Sequence, residues 1–208
     1  MIATGTCSSG QVLDPGPVAD LIAGLGLDPA GAFPLVHWTA APPELEPGTS
    51  LRVRFVGPLR PGDPVEVEEG VGTVGVLTEQ RITVDGTLVV RSTVERFPVV
   101  ETAPVPADGA VALVAADAQR LRRALAGDHP AQRAAREAVA LGLADVWRRS
   151  RVPILGLYVD VHGVADALDG LRRTTTTSAE GSAEIRIASA EGRPLLTAQV
   201  RFGCGVRR

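Results

Sequence analysis

From residue 51 onward the chain repeatedly alternates apolar and polar positions. LRVRF (51–55), VEVE (65–68), VLTEQRITV (76–84) and LVVRSTVERF (88–97) carry period-two patterning or β-branched enrichment, and each predicts a strand. ILGLYVDV (154–161), LRRTTTT (171–177), SAEIRIAS (182–189) and LLTAQVRF (195–202) predict a second set. Asp85-Gly86 suits a hairpin turn, and Glu191-Gly192 holds the matching place later. RPGD (60–63) is a turn by composition. Helical patterning precedes each set. Asp14 can cap a helix over 16–27, with Val18, Leu21, Ile22 and Leu25 on one stripe. Two further helices are expected over 115–126 and 131–149. On the last, Val139, Leu143, Val146 and Trp147 are expected to be largely buried against the second set of strands. The Pro-rich stretch PVVETAPVPADG (98–109) reads as a linker.

The two sets are copies of one another. Leu51, Val53, Phe55 and Gly57 recur as Leu157, Val159, Val161 and Gly163. EQRITVDG, from Glu79, is matched by EIRIASAEG, from Glu184, and both following strands end in phenylalanine, Phe97 and Phe202. Matched segments in one order at nearly one offset mean a duplicated unit rather than a short solenoid repeat. The predicted organisation is α+β, helix then antiparallel sheet, twice, with an N-terminal half over 1–108 and a C-terminal half over 109–208.

Composition narrows the chemistry. The chain has 208 residues, a formal net charge of -3 and 3% aromatic residues. Neither electrostatic attraction to nucleic acid or anionic membrane nor base stacking is expected from these values. No apolar run approaches a membrane span, and the N-terminus lacks the basic and apolar regions of a signal peptide. A cytoplasmic protein is therefore expected. Cys7 and Cys204 stand at opposite ends, so no disulfide framework is expected. With three scattered histidines, no metal site and no cofactor are expected either. All 21 basic residues are arginine, and neither lysine nor asparagine occurs, which suggests a high-GC bacterial genome. The absence of lysine removes Schiff-base chemistry and a P-loop.

Some segments resemble a known family. RVRFVGPLRPGDPVEVE is similar to the strand-turn-strand of hotdog thioesterases and MaoC-like dehydratases. REAVALGLADVWRRSRVP resembles the central helix in the C-terminal half of TesB-type acyl-CoA thioesterases, and GSAEIRIASAEGRPLLTAQVRF their last hairpin. The likeness covers roughly 50–97 and 132–203. It implies a tandem (double) hotdog fold, with antiparallel sheets each wrapping a helix.

Asp145 is the leading candidate for chemistry. It ends a row formed by Ala134, Ala138 and Leu141, on a helix that such a sheet would wrap. A desolvated carboxylate there suits a general base or a water-orienting group. The plainer alternative is an ion pair with Arg148 or Arg149. The TesB resemblance implies that an aspartate of this helix orients water together with a threonine on the next strand and a glutamine near the last. ILGLYVDV holds no threonine, though Thr174 to Thr177 follow. Arg201 aligns with the glutamine, and Gln199 lies two residues earlier on the same strand face. His37 and Trp38 are candidates for a pocket wall, and His162, beside Asp160, for an acid/base or substrate contact. The first reading is a thioesterase that hydrolyses acyl-CoA or acyl-carrier-protein thioesters through Asp145 and Gln199. The second is a non-hydrolytic hotdog protein: an acyl-binding module, or a dehydratase or cyclase in a biosynthetic pathway. Assembly into a homo-oligomer stays open.

Overall fold

In the computed structural model the described residues are 6–29, 33–71, 76–97, 104, 109–125, 129–150, 152–163, 165, 167–178 and 181–203. The alternating segments become β2 (Thr49–Phe55), β3 (Pro64–Val71), β4 (Val76–Val84) and β5 (Thr87–Arg96), then β7 (Ile154–Val161), β8 (Arg172–Ser178), β9 (Ser182–Ala188) and β10 (Pro194–Phe202). Asp85 and Gly86 both adopt positive φ, 50° and 73°, as a two-residue hairpin turn requires. The helices are α1 (Pro15–Leu25), α2 (Ala118–Ala124) and α3 (Pro130–Arg149). Asp14 caps α1 by accepting from the Gly16 amide. The second helix is shorter than the sequence pattern suggests. Its cap is Asp117, whose carboxylate accepts from the Gln119 and Arg120 amides, while Val111–Ala112 form a short strand, β6. Two further elements lack any periodic signal: β1 (Thr6–Val12) and a 3-10 helix over Pro34–Thr39. Most of the expected linker, 98–103 and 105–108, lies outside the described residues.

The strands form one ten-stranded sheet in the order β1-β3-β4-β5-β2-β7-β10-β9-β8-β6. Every neighbouring pair is antiparallel. At its centre β2 pairs with β7, so Leu51 faces Val159 and Val53 faces Leu157. Leu51, Val53, Leu157, Val159 and Val161 point into the core. Their neighbours Arg52, Arg54, Gly156, Tyr158 and Asp160 therefore lie on the outer face, because strand side chains alternate.

The helix α3 is the buried centre of the second part of the sheet. Ala134 to Ala144 and Val146 are all buried, so its buried surface extends around the whole helix rather than along a stripe. The strands cover one side. Residues 41–46 cover another, where the Arg136 guanidinium donates to the Pro43 carbonyl and Gln132 to Glu46. Gly142 permits the close approach, since a Cβ there would lie 3.0 Å from Ile185 Cγ2. Val139, Leu143 and Val146 are buried as expected. Trp147 differs: it is half-buried and meets Phe33, from the first part of the chain, edge to face at 6.3 Å. Among the described residues no helix is long and apolar enough to cross a membrane.

Candidate functional site

The 3-10 helix and α3 leave an apolar cavity at one end of the β2–β7 seam. Phe33 and Pro34 form one wall, Trp147 of α3 another, and Phe55, Leu59, Val90 and Ile154 line the remainder. The cavity holds about 360 Å³, within the range of small-molecule sites. Leu155, 48% exposed, stands at its rim. Pro34 starts the 3-10 helix, and Phe33 is its N-cap residue.

Asp145 does not line this cavity. It lies two residues before Trp147, about 200° around the helix, and faces β8. There its carboxylate meets Arg149 at 3.0 Å and Arg173 at 3.2 Å. The Asp145 and Arg173 side chains are 14% and 11% exposed. Burial lowers the Arg173 guanidinium from its usual range, and Asp145 opposes that effect. Arg148, the other partner considered from sequence, instead donates to the Leu25 carbonyl. Thr175, one side chain further along the same face of β8 as Arg173, has a buried hydroxyl with no hydrogen-bond partner among the described residues.

The expected pairing of Asp145 with Gln199 does not form. Ala198 and Val200 point into the core, so Gln199 must point to the outer face, where it is exposed. There it borders a second cavity of about 490 Å³ on the outside of the seam, with Arg52, Arg54, Tyr158 and Arg201.

His37 and Trp38 are 1% exposed and sit behind the cavity wall rather than in it. His37 packs against Trp38 and Phe55, with ring centroids 6.2 and 6.0 Å away. Its Nδ1 lies 3.0 Å from the Pro34 carbonyl, which requires a donor there, and its buried Nε2 has no partner among the described residues. Burial lowers the imidazole pKa to about 4, so the ring is neutral at pH 7. His162 lies beyond the opposite end of β7 from the cavity, against Thr197 at 3.2 Å and Phe97 at 5.8 Å. Beside it, Tyr158 donates to Ser50, and Ser50 donates to Asp160 at 2.5 Å.

Sequence reasoning missed the charged pair at the start of α3. Arg136 and Glu137 are each 3% exposed. Burial pushes the Glu137 carboxyl above the usual carboxylate range, while Arg122 and Arg133 pull the other way. The only signal in the sequence is two adjacent charges inside an alanine-rich helix, which by itself reads as a solvated face. Among the described residues no group of three or more His, Cys, Asp or Glu side chains is placed to hold a metal ion.

No family model matches the chain, and no curated protein matches it in sequence. Solved structures do. HtdX of Mycobacterium tuberculosis superposes with a TM-score of 0.67 at 18% identity, covering 96% of this chain and 100% of that one. A MaoC-like dehydratase from Phytophthora capsici gives 0.67 at 10% identity, over 96% and 95% of the two chains. The tesB protein of Mycobacterium avium subsp. paratuberculosis gives 0.51 at 15% identity, over 89% and 99%. At these identities the likeness is one of architecture, and together with the antiparallel sheet and its few helices it establishes that the chain has the hotdog fold.

Proposed function

We propose that the chain is a tandem pair of hotdog halves that binds an acyl thioester, with the acyl chain in the apolar cavity beside Trp147. Two features support the tandem reading. The first five strands follow the order β1-β3-β4-β5-β2, and the second five, read from the other edge, follow β6-β8-β9-β10-β7, which is the same order. The seam register also has the symmetry of the sequence repeat. The repeat equates Leu51 with Leu157 and Val53 with Val159, and the sheet pairs Leu51 with Val159 and Val53 with Leu157. A pseudo-twofold axis through the Arg52–Tyr158 pair accounts for both.

The observation that carries the binding reading is the placement of cavity and carboxylate on opposite sides of α3. The cavity is apolar and of ligand size, and among the described residues no carboxylate lines it. Asp145 is held between two guanidinium groups. The similar structures include a MaoC-like dehydratase and a tesB protein, and the resemblance of the sequence to TesB-type acyl-CoA thioesterases makes an acyl thioester the ligand class carried over here. A series of acyl-CoAs of increasing chain length, titrated against the protein by calorimetry, tests it. Affinity should rise with chain length until the cavity is full, and Trp147→Ala should weaken the longest acyl-CoA bound by about tenfold or more, the loss of one well-packed aromatic wall. No binding of any acyl-CoA would overturn the reading.

A second reading, hydrolysis, is favoured by one observation: the buried Thr175 hydroxyl, without a hydrogen-bond partner among the described residues, on the same strand face as the Arg173 that holds Asp145. Under it, Asp145 and Thr175 orient the attacking water. Free-thiol release from the same acyl-CoA series separates the two. Steady release that Asp145→Asn removes supports hydrolysis, and binding without release supports the first reading.

A further inference from the structure

The outer face of the seam carries an arginine row that nothing in the proposed function uses. The strand registers align Arg81, Arg91, Arg54, Gly156 and Arg201 side by side across β4, β5, β2, β7 and β10. Arg81 and Arg91 share Glu79. Arg54 and Arg201 have no ion pair among the described residues, and Gly156 between them contributes no side chain. The result is the cavity of about 490 Å³, floored by Gly156 and bordered by Arg52, Arg54 and Arg201, with Tyr158 and Gln199 one row further along. No acid lines it. The acids on the flanking rows are engaged, Glu95 by Arg52, Glu184 by Arg186 and Asp160 by the Ser50 hydroxyl.

The seam's own symmetry supplies a control. The positions that mirror Arg54, Gly156 and Arg201 at the other end are Asp160, Ser50 and Glu95. Those are satisfied internally, Asp160 by Ser50 and Glu95 by Arg52. The unpaired cations are therefore not a by-product of the repeated fold.

We infer that this groove binds a ligand carrying a diphosphate group. Guanidinium groups match phosphate oxygens in bidentate geometry. Arg54 and Arg201 are rooted two strand spacings apart, about 10 Å, which suits one phosphoryl group for each fork rather than a single shared phosphate. The inference does not depend on the acyl cavity, although Leu155 borders both spaces.

The test is calorimetric titration of the full chain with ADP, pyrophosphate, inorganic phosphate and CoA at low ionic strength. ADP and pyrophosphate should bind, and inorganic phosphate should bind at least tenfold more weakly. The double variant Arg54→Gln/Arg201→Gln should lose at least tenfold in ADP affinity with an unchanged melting temperature, while Arg81→Gln keeps wild-type affinity. Tighter binding of CoA than of ADP identifies the diphosphate as that of a thioester carrier, and equal binding identifies a free nucleotide. Either result upholds the site. Failure of ADP to bind, equal affinity for pyrophosphate and phosphate, or full affinity in the double variant would overturn it. Acyl-chain dependence measured on Trp147→Ala is unaffected by any of these results, so the two proposals fail separately.

Discussion

Replacing Asp145 by asparagine leaves Arg173, 11% exposed, without its compensating charge. The expected loss is about 2 kcal/mol, below the ~3–5 kcal/mol of a fully buried pair because both side chains touch solvent. Chemical denaturation of Asp145→Asn measures it, and the added change Arg173→Leu should recover part of the loss. His37 sets a pH dependence. Its folded pKa, about 4, lies below the ordinary 6.5, so the unfolded chain takes up the proton first. The stability it contributes is complete above pH 6.5 and is lost as pH falls through 4, amounting to about 2 kcal/mol by pH 5. His37→Phe keeps a ring beside Phe55 and should flatten the stability profile over that window. Glu137 has the opposite sign. Its raised carboxyl pKa contributes stability below the ordinary 4.5 and loses it as pH rises through the folded value, so Glu137→Gln should change the profile on the alkaline side of 4.5.

At the scale of elements, close approach decides what propensity alone would get wrong. Gly24→Ala in α1 gains about 1 kcal/mol of helix propensity. The new Cβ, however, would lie 2.7 Å from the Leu121 backbone nitrogen, which α2 cannot move without sliding as a unit. Overpacking of this kind costs about 1–3 kcal/mol, so urea denaturation should show a net loss. In α3, Leu143 is 0% exposed, and Leu143→Ala should cost about 2–5 kcal/mol on the same assay. The strands from β2 to β5, with β7, β9 and β10, were legible because each has one face against the core, and that burial writes a period of two into the sequence; β8 was legible only through its run of β-branched threonines. β1 was not: TCSSGQV sits at the sheet edge and has no alternation, and only its long-range pairing with β3 makes it a strand. The 3-10 helix was hidden because Leu35, Val36, His37 and Trp38 are consecutive and all buried, which leaves no period to read. At the candidate site, the acid inside an apolar helix was visible. Its partner Arg173 was not, since RRTTTTS reads as an exposed strand until β9 fixes which of its side chains turn inward. Gln199 and Arg201 do share one strand face, but that face is the outer one, and alignment to a motif does not reveal which face of a strand meets the core.

At the scale of the whole molecule, the β2–β7 seam joins the strands that precede the 98–109 stretch to those that follow it, and neither set is expected to stand alone. Residues 1–108 alone would present β2 as an open edge, and residues 109–208 alone would present β7 together with the uncovered side of α3 that Phe33 and residues 41–46 now shield. Each fragment expressed separately should aggregate or self-associate. Mixing them from denaturant should restore the melting transition of the intact chain, as circular dichroism would record. Independent, monomeric folding of either fragment would show that the seam is a contact and not a shared core.

The two ends of the β2–β7 seam carry different side chains, and under the proposed acyl-thioester reading that difference sets the expected number of acyl chains bound. Two identical halves would present every crevice twice, and two equal sites can influence one another. Here one end has Phe33, Phe55 and Trp147 around a void, while the other has Phe97 against His162 and the Ser50–Asp160 pair. A titration of one chain with an acyl thioester should therefore end at a single equivalent. Its isotherm should be hyperbolic, with a Hill coefficient of one.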